Sequence, residues 1–180
     1  EIRGPARVVI CIAQVGKAAF LKNCSDEIQR LVQAGVIVVL PDVRGTGESF
    51  AGDTDLSAQL QLFGETLLGQ RLRDLRSILA MLRERQDVDP RRIALWGDSF
   101  ADTNSRETNF KVPRNVADWP RGPEPLGGLL ALLAALYEEE IQAVYIAGGL
   151  TNYHNILSYF AVLIPHSAAI PGALTAGELS

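Results

Sequence analysis

Histidine is scarce in this 180-residue chain. Only His154 and His166 are present, so any imidazole base, acid or metal ligand must be one of these two. Cysteine is as rare, and Cys11 and Cys24 show neither metal-site spacing nor the density of a disulfide framework. A basic surplus is missing too: 17 Lys and Arg against 21 Asp and Glu leave a net charge of −4. That balance excludes a protein whose affinity rests on neutralising nucleic-acid phosphates. No apolar run approaches the ~20 residues of a membrane span, and no signal h-region opens the chain. The reading is a soluble chain that binds neither nucleic acid nor membrane. No His, Asp or Glu cluster has ligand spacing, so no metal is expected. No glycine-rich phosphate-binding signature follows the first apolar run, where Gln14-Val15-Gly16-Lys17 is too short to cradle phosphates, and no cofactor is expected. The start, Glu1-Ile2-Arg3-Gly4 without Met, reads as a cut beginning.

What is present is a globular composition, 47% hydrophobic and 21% charged, at a length that suits one domain with a real core. Ala6 to Ala13 (ARVVICIA) is a β-branched apolar run without alternation, the mark of a strand buried on both faces. Ser25 offers an N-cap, Asp26 and Glu27 suit a first turn, and Gly35 suits a stop, so a helix is predicted between them. Val36 to Leu40 repeats the strand signature, and Pro41 ends it before the loop Asp42-Val43-Arg44-Gly45-Thr46-Gly47-Glu48-Ser49. A short helix is expected near Leu56 to Leu62. From Leu67 the residues Leu68, Leu72, Leu75, Leu79 and Leu82 recur at helical spacing, with Arg71, Arg73, Arg76, Arg83 and Arg85 read as a solvated outer face.

Asp87-Val88-Asp89-Pro90 breaks that helix, and Ile93 to Trp96 is a third strand. It ends in Gly97-Asp98-Ser99-Phe100-Ala101. A Pro-rich, aperiodic stretch from Asp102 to Pro125 exceeds ordinary loop length, which marks function or disorder. Leu126 to Tyr137 is apolar all round and reads as a buried helix whose Gly127 and Gly128 allow close approach to a sheet. Ile141 to Ala147 is a fourth strand. Alternating strands and helices with buried strands make a doubly wound, mainly parallel α/β sheet. Ligands in such sheets bind beyond the carboxyl ends of the strands, which directs attention to the loops after Ala13, Leu40, Trp96 and Ala147.

Gly97-Asp98-Ser99-Phe100-Ala101 sits between a strand and downstream helical sequence, the context of a nucleophile elbow. Such a turn holds its serine in a strained backbone conformation and needs small residues two positions away, here Gly97 and Ala101. The Phe100 N–H would then face a developing oxyanion, with a second donor from the loop around Val15 and Gly16. These segments together, VVLPDVRGTGES, a leucine-striped helix and DVDPRRIALWGDSFA, resemble the α/β-hydrolase superfamily. More narrowly they are similar to its acetyl xylan esterase and dienelactone hydrolase-like branch, which is related to prolyl oligopeptidase catalytic domains.

The resemblance implies that Ser99 is a nucleophile acting on carboxylic, acetyl-type esters through an acyl-enzyme, with a small-molecule or carbohydrate ester as substrate. It also implies that the Asp42–Ser49 loop shapes the sheet edge. The four strands would correspond to the third through sixth of an eight-stranded sheet, making residues 1–180 a single partial domain that lacks the last strands. The family's acid and histidine follow on later strands, which have no counterpart before Ser180. His154, after the fourth strand, is the candidate base within the chain, and His166 is the other loop histidine. Glu138, Glu139 and Glu140 fall at the opposite sheet edge, and Asp98 should point away from Ser99. Three readings stay open: an ester hydrolase, a prolyl oligopeptidase-like peptidase, and a non-catalytic hydrolase-like binding domain. An incomplete sheet with open edges would favour self-association. The compartment is open, a secreted or periplasmic parent protein being compatible.

Overall fold

The computed structural model describes residues 4–50, 56–102, 104–109, 119–150, 152, 165–168 and 170–173. Among these residues four strands, β1 (Ala6–Ala13), β2 (Val36–Val39), β3 (Val88–Asp98) and β4 (Ile141–Ala147), form one all-parallel sheet in the order β2-β1-β3-β4. The helices are α1 (Lys17–Asn23), α2 (Ser25–Gln33), α3 (Leu56–Leu62), α4 (Leu67–Arg83) and α5 (Leu126–Tyr137), with short 3-10 turns at Gly47–Ser49 and His166–Ala168. The doubly wound α/β class expected from the sequence is what forms.

Alternation along the strands assigns the two layers. Val8, Ile10 and Ile12 of β1 and Ile93 and Leu95 of β3 face one side, where they join Leu75, Leu79 and Leu82 of α4 and Leu126, Leu129 and Leu130 of α5 in the main core. Cys11 and Ala13 face the other side and pack with Phe20 of α1, Ile28 of α2, Trp96 and Phe100. Phe20 sets its ring edge-on to both Trp96 and Phe100, at centroid distances of 5.3 and 5.0 Å. Such T-shaped pairs contribute about 0.5–1.5 kcal/mol beyond area burial.

Three elements differ from the sequence reading. The loop after β1 carries an extra helix, α1, and the chain enters α2 through Cys24, with no side-chain cap bond from Ser25. β3 starts at Val88, ahead of Ile93, because the register slips from Ala6↔Val88 to Val8↔Ile93. That irregularity lets Pro90, which has no N–H to donate, sit in the exposed part of the strand. Finally, the basic face of α4 is not simply solvated. Arg71 is 4% exposed, and Arg76 and Arg83 reach the buried carboxylate of Glu138.

Two glycines fix α5 against the sheet. A Cβ on Gly127 would lie 2.7 Å from both the N and O of Asp98 and closer still to the Ile12 carbonyl oxygen. One on Gly97 would meet the Gly127 carbonyl and, at 2.7 Å, the Gly128 nitrogen. Backbone therefore packs on backbone at the carboxyl ends of β1 and β3. Among the described residues no helix is long and apolar enough to cross a membrane.

Candidate functional site

Ser99 follows the last residue of β3, and its N–H donates to the Ala147 carbonyl at 2.9 Å. The β3–β4 ladder is thus extended by one bond beyond Asp98↔Ala147. Gly148, at φ +63°, turns the chain away from β4, and a Cβ there would stand 3.0 Å from Ser99 Cβ and 3.6 Å from Ser99 Oγ. The absence of a side chain at Gly148 keeps the serine clear at the carboxyl edge.

The strained turn expected at Ser99 is not found: no described non-glycine residue has a positive φ. The physical reason is the distance from Ser99 to the next helix. An elbow strains its serine because the chain must reverse at once into a helix, whereas here residues 100–125 separate Ser99 from α5, and the strand hydrogen bond to Ala147 holds an extended backbone.

Of the three residues read as oxyanion donors, Phe100 has its N–H engaged by the Glu124 carboxylate. Burial raises the Glu124 carboxyl above its usual range, opposed by that same N–H, and Oε2 has no partner among the described residues. Gly16 uses its N–H to close a turn on the Ala13 carbonyl at 3.1 Å. Its φ of +86° and its contact with Gly47, where a Cβ would come within 2.6 Å of Cα, make it a packing residue. Val15, 47% exposed, stands on the same loop. Asp98 turns to the opposite face, where it accepts the Trp96 indole N–H at 2.9 Å and its carboxyl is raised by burial. That matches the expectation that it points away from Ser99.

The loop after β2 is tied to the loop after β1 by one carboxylate. Asp42 accepts the N–H of Lys17 at 2.7 Å and of Glu48 at 3.0 Å, and lies 3.5 Å from Lys17 Nζ. Burial alone would raise its carboxyl, but the two N–H bonds and the Lys17 charge outweigh that and hold it below the ordinary range. Arg44 turns outward to Asp74 of α4, donating from Nε at 2.8 Å and from its backbone N–H at 3.0 Å. Arg71 braces the loop from beneath, donating Nε–H to the Arg44 carbonyl at 2.9 Å and from Nη2 to the Gly45 carbonyl at 3.3 Å. The shaping role expected of this loop is what these bonds perform.

Beside it lies a cavity of about 450 Å³ lined by Gln14, Val15, Thr46, Arg71 and Ser167 among others. Sequence reading missed this feature. Its signal was Arg71 standing four residues before Leu75 and eight before Leu79, on the buried stripe of α4. Glu138 lies before β4, at the sheet edge opposite Ser99, as expected of that acidic run. His154, the candidate base, lies outside the described residues, as does the side chain of His166.

No family model matches the chain, and no curated protein matches it. Among solved structures it is similar to the alpha/beta hydrolase GrgF from Penicillium sp. sh18, at 21% identity and a TM-score of 0.49. The match covers 87% of this chain and 43% of that one, so the chain spans less than half the length of the structure it matches.

Proposed function

We propose that this chain carries the nucleophile portion of a serine hydrolase of the α/β-hydrolase kind, acting on carboxylic esters of acetyl type. The observation that supports the reading most is a serine one residue beyond the central strand β3, flanked by Gly97, Gly148 and the close-packed start of α5. In that reading Ser99 Oγ attacks the acyl carbon and gives its proton to a base, the alcohol leaves, and water then hydrolyses the acyl-enzyme. His154 in the segment after β4 is the base available within the sequence. The Phe100 N–H would stabilise the oxyanion once the Glu124 carboxylate yields it, and Val15 would supply the second donor.

The test is covalent. Wild-type protein is expected to be labelled by a fluorophosphonate at Ser99 and to hydrolyse p-nitrophenyl acetate, while Ser99→Ala loses both, the rate falling by at least 10³-fold toward the uncatalysed level. Equal rates in the two proteins would refute the reading.

A non-catalytic hydrolase-like binding domain is the second reading. It draws support from the relaxed Ser99 backbone and from the carboxylate already held by the Phe100 N–H. Absence of labelling in a folded protein would favour it. Faster cleavage of a Pro-containing peptide than of a short ester would redirect the first reading to a peptidase.

A further inference from the structure

Arg71 is a buried cation without a counter-ion among the described residues. It is 4% exposed, its two hydrogen bonds to described residues go to neutral carbonyls, and Nη1 is buried with no partner among the described residues. The carboxylate nearest in sequence, Asp74, is occupied by Arg44. No carboxylate oxygen lies within ion-pair distance of Arg71 among the described residues. Burial moves the guanidinium down only to about 10, with the Asp74 charge opposing, so it remains protonated at neutral pH. A guanidinium has five N–H donors and two are used here, which leaves both on Nη1 and one on Nη2 for a further acceptor. An unpaired buried charge is costly, and the ordinary remedy is an anion.

Arg71 also lines the cavity of about 450 Å³, a size that suits a small organic molecule. Gln14 and Ser167 add polar groups to its wall. The location is equally telling. Gln14 follows Ala13, whose register partner is Asp98, and Ser99 follows Asp98. Gln14 on the cavity wall and Ser99 therefore both leave the carboxyl edge of the sheet, from the neighbouring strands β1 and β3.

We propose that this cavity is an anion subsite in which Arg71 pairs the carboxylate of a small organic acid. Resting on the ester-hydrolase reading above, and extending its acyl group from acetyl to a short dicarboxylic half-ester, that carboxylate belongs to the substrate, so the enzyme takes anionic esters ahead of neutral ones. The planar guanidinium fork matches a carboxylate in charge and shape.

The experiment is ligand binding to the full chain carrying Ser99→Ala, so that no turnover intervenes, read by calorimetry and thermal shift at fixed ionic strength. Monomethyl succinate is expected to bind saturably, and methyl butyrate, its neutral counterpart, at least tenfold more weakly. Arg71→Gln should lose at least tenfold in affinity for monomethyl succinate, and Arg71→Lys should retain part of it. Because Arg71 also braces the Asp42–Ser49 loop, Val15→Trp, which fills the cavity from an exposed position, provides a second route to the same loss. Equal binding of the charged and neutral esters, no saturable binding of either, or undiminished binding in Arg71→Gln or Val15→Trp would overturn the proposal. Tighter binding of inorganic phosphate than of monomethyl succinate would overturn the carboxylate assignment. Fluorophosphonate labelling of Ser99 without anion binding would remove the subsite and leave the hydrolase reading standing, and anion binding without labelling would do the reverse.

Discussion

Replacing Gly127 by alanine tests how the carboxyl edge is built. In an isolated helix the change would help, since Ala is favoured over Gly by about 0.8–1.0 kcal/mol in a helix interior. In this fold the new methyl would meet Asp98 N and O at 2.7 Å and the Ile12 carbonyl closer still. Carbon-to-oxygen contacts settle at about 3.3–3.6 Å, so α5 must retreat by at least roughly 0.6 Å. The obstructing atoms are strand backbone and cannot rotate away, and Leu126, Leu129 and Leu130 retreat with the helix. Overpacking of this kind costs about 1–3 kcal/mol or more, and the upper end less the propensity gain leaves about 2 kcal/mol. At about 2–4 °C per kcal/mol for a chain of this size, the midpoint should fall by roughly 4–8 °C. Gly69→Ala in α4 is the control, because its methyl would meet only the Thr66 hydroxyl, at 3.0 Å. Strain on that N-cap offsets part of the propensity gain, so the midpoint should stay within about 2 °C of wild type. Thermal melts followed by circular dichroism read both. A Gly127→Ala melt within about 1 °C of wild type, or equal shifts in the two variants, would refute the packing argument.

Two further outcomes concern the charged and thiol groups. Hydrogen bonds and neighbouring cations hold the carboxyls of Asp42, Asp74 and Glu138 low against the opposing effect of burial. Depressed carboxyls contribute stability above their unfolded values, near 3.8 for Asp and 4.5 for Glu, and lose it as pH falls through the folded ones. The melting midpoint is therefore expected to fall steeply below about pH 4, and Glu138→Gln should lower it at pH 7 while flattening the acid limb. A midpoint equal at pH 7 and at about pH 3.5 would contradict this. Burial pushes the Cys11 thiol up to about 12, with smaller contributions from Cys24 and Asp98, whereas Cys24 is partly exposed. Ellman's reagent should titrate Cys24 slowly in the native protein and Cys11 only after unfolding, so native Cys24→Ser should show no titratable thiol.

The sheet was legible because its strands are read by composition alone. The apolar runs at Ala6–Ala13 and Val36–Val39 have no other stable use at that length, and Leu126–Tyr137 could only be a covered helix. The extra helix α1 was not legible, since KAAFLKN has a single buried residue, Phe20, and no periodicity to announce it. For the candidate site, the position of Ser99 beyond a central strand could be read, but its backbone conformation could not. That conformation depends on the hydrogen bond to Ala147, which is 48 positions away in sequence and becomes adjacent only once β4 pairs with β3. Arg71 shows the same limit from the other side. An arginine on a leucine-striped helix reads as surface until the loop carbonyls of Arg44 and Gly45 are known to lie over it.

The Phe100 N–H acts on the Glu124 carboxylate, so these two residues, far apart in sequence, lie side by side. With both ends already anchored by the sheet and α5, each doubling of a flexible loop's length adds only about 0.6 kcal/mol of closure cost. The sequence between those two residues can thus be lengthened, shortened or exchanged without disturbing the strands. Divergence among proteins built on this framework should concentrate there, while the layers beneath stay fixed.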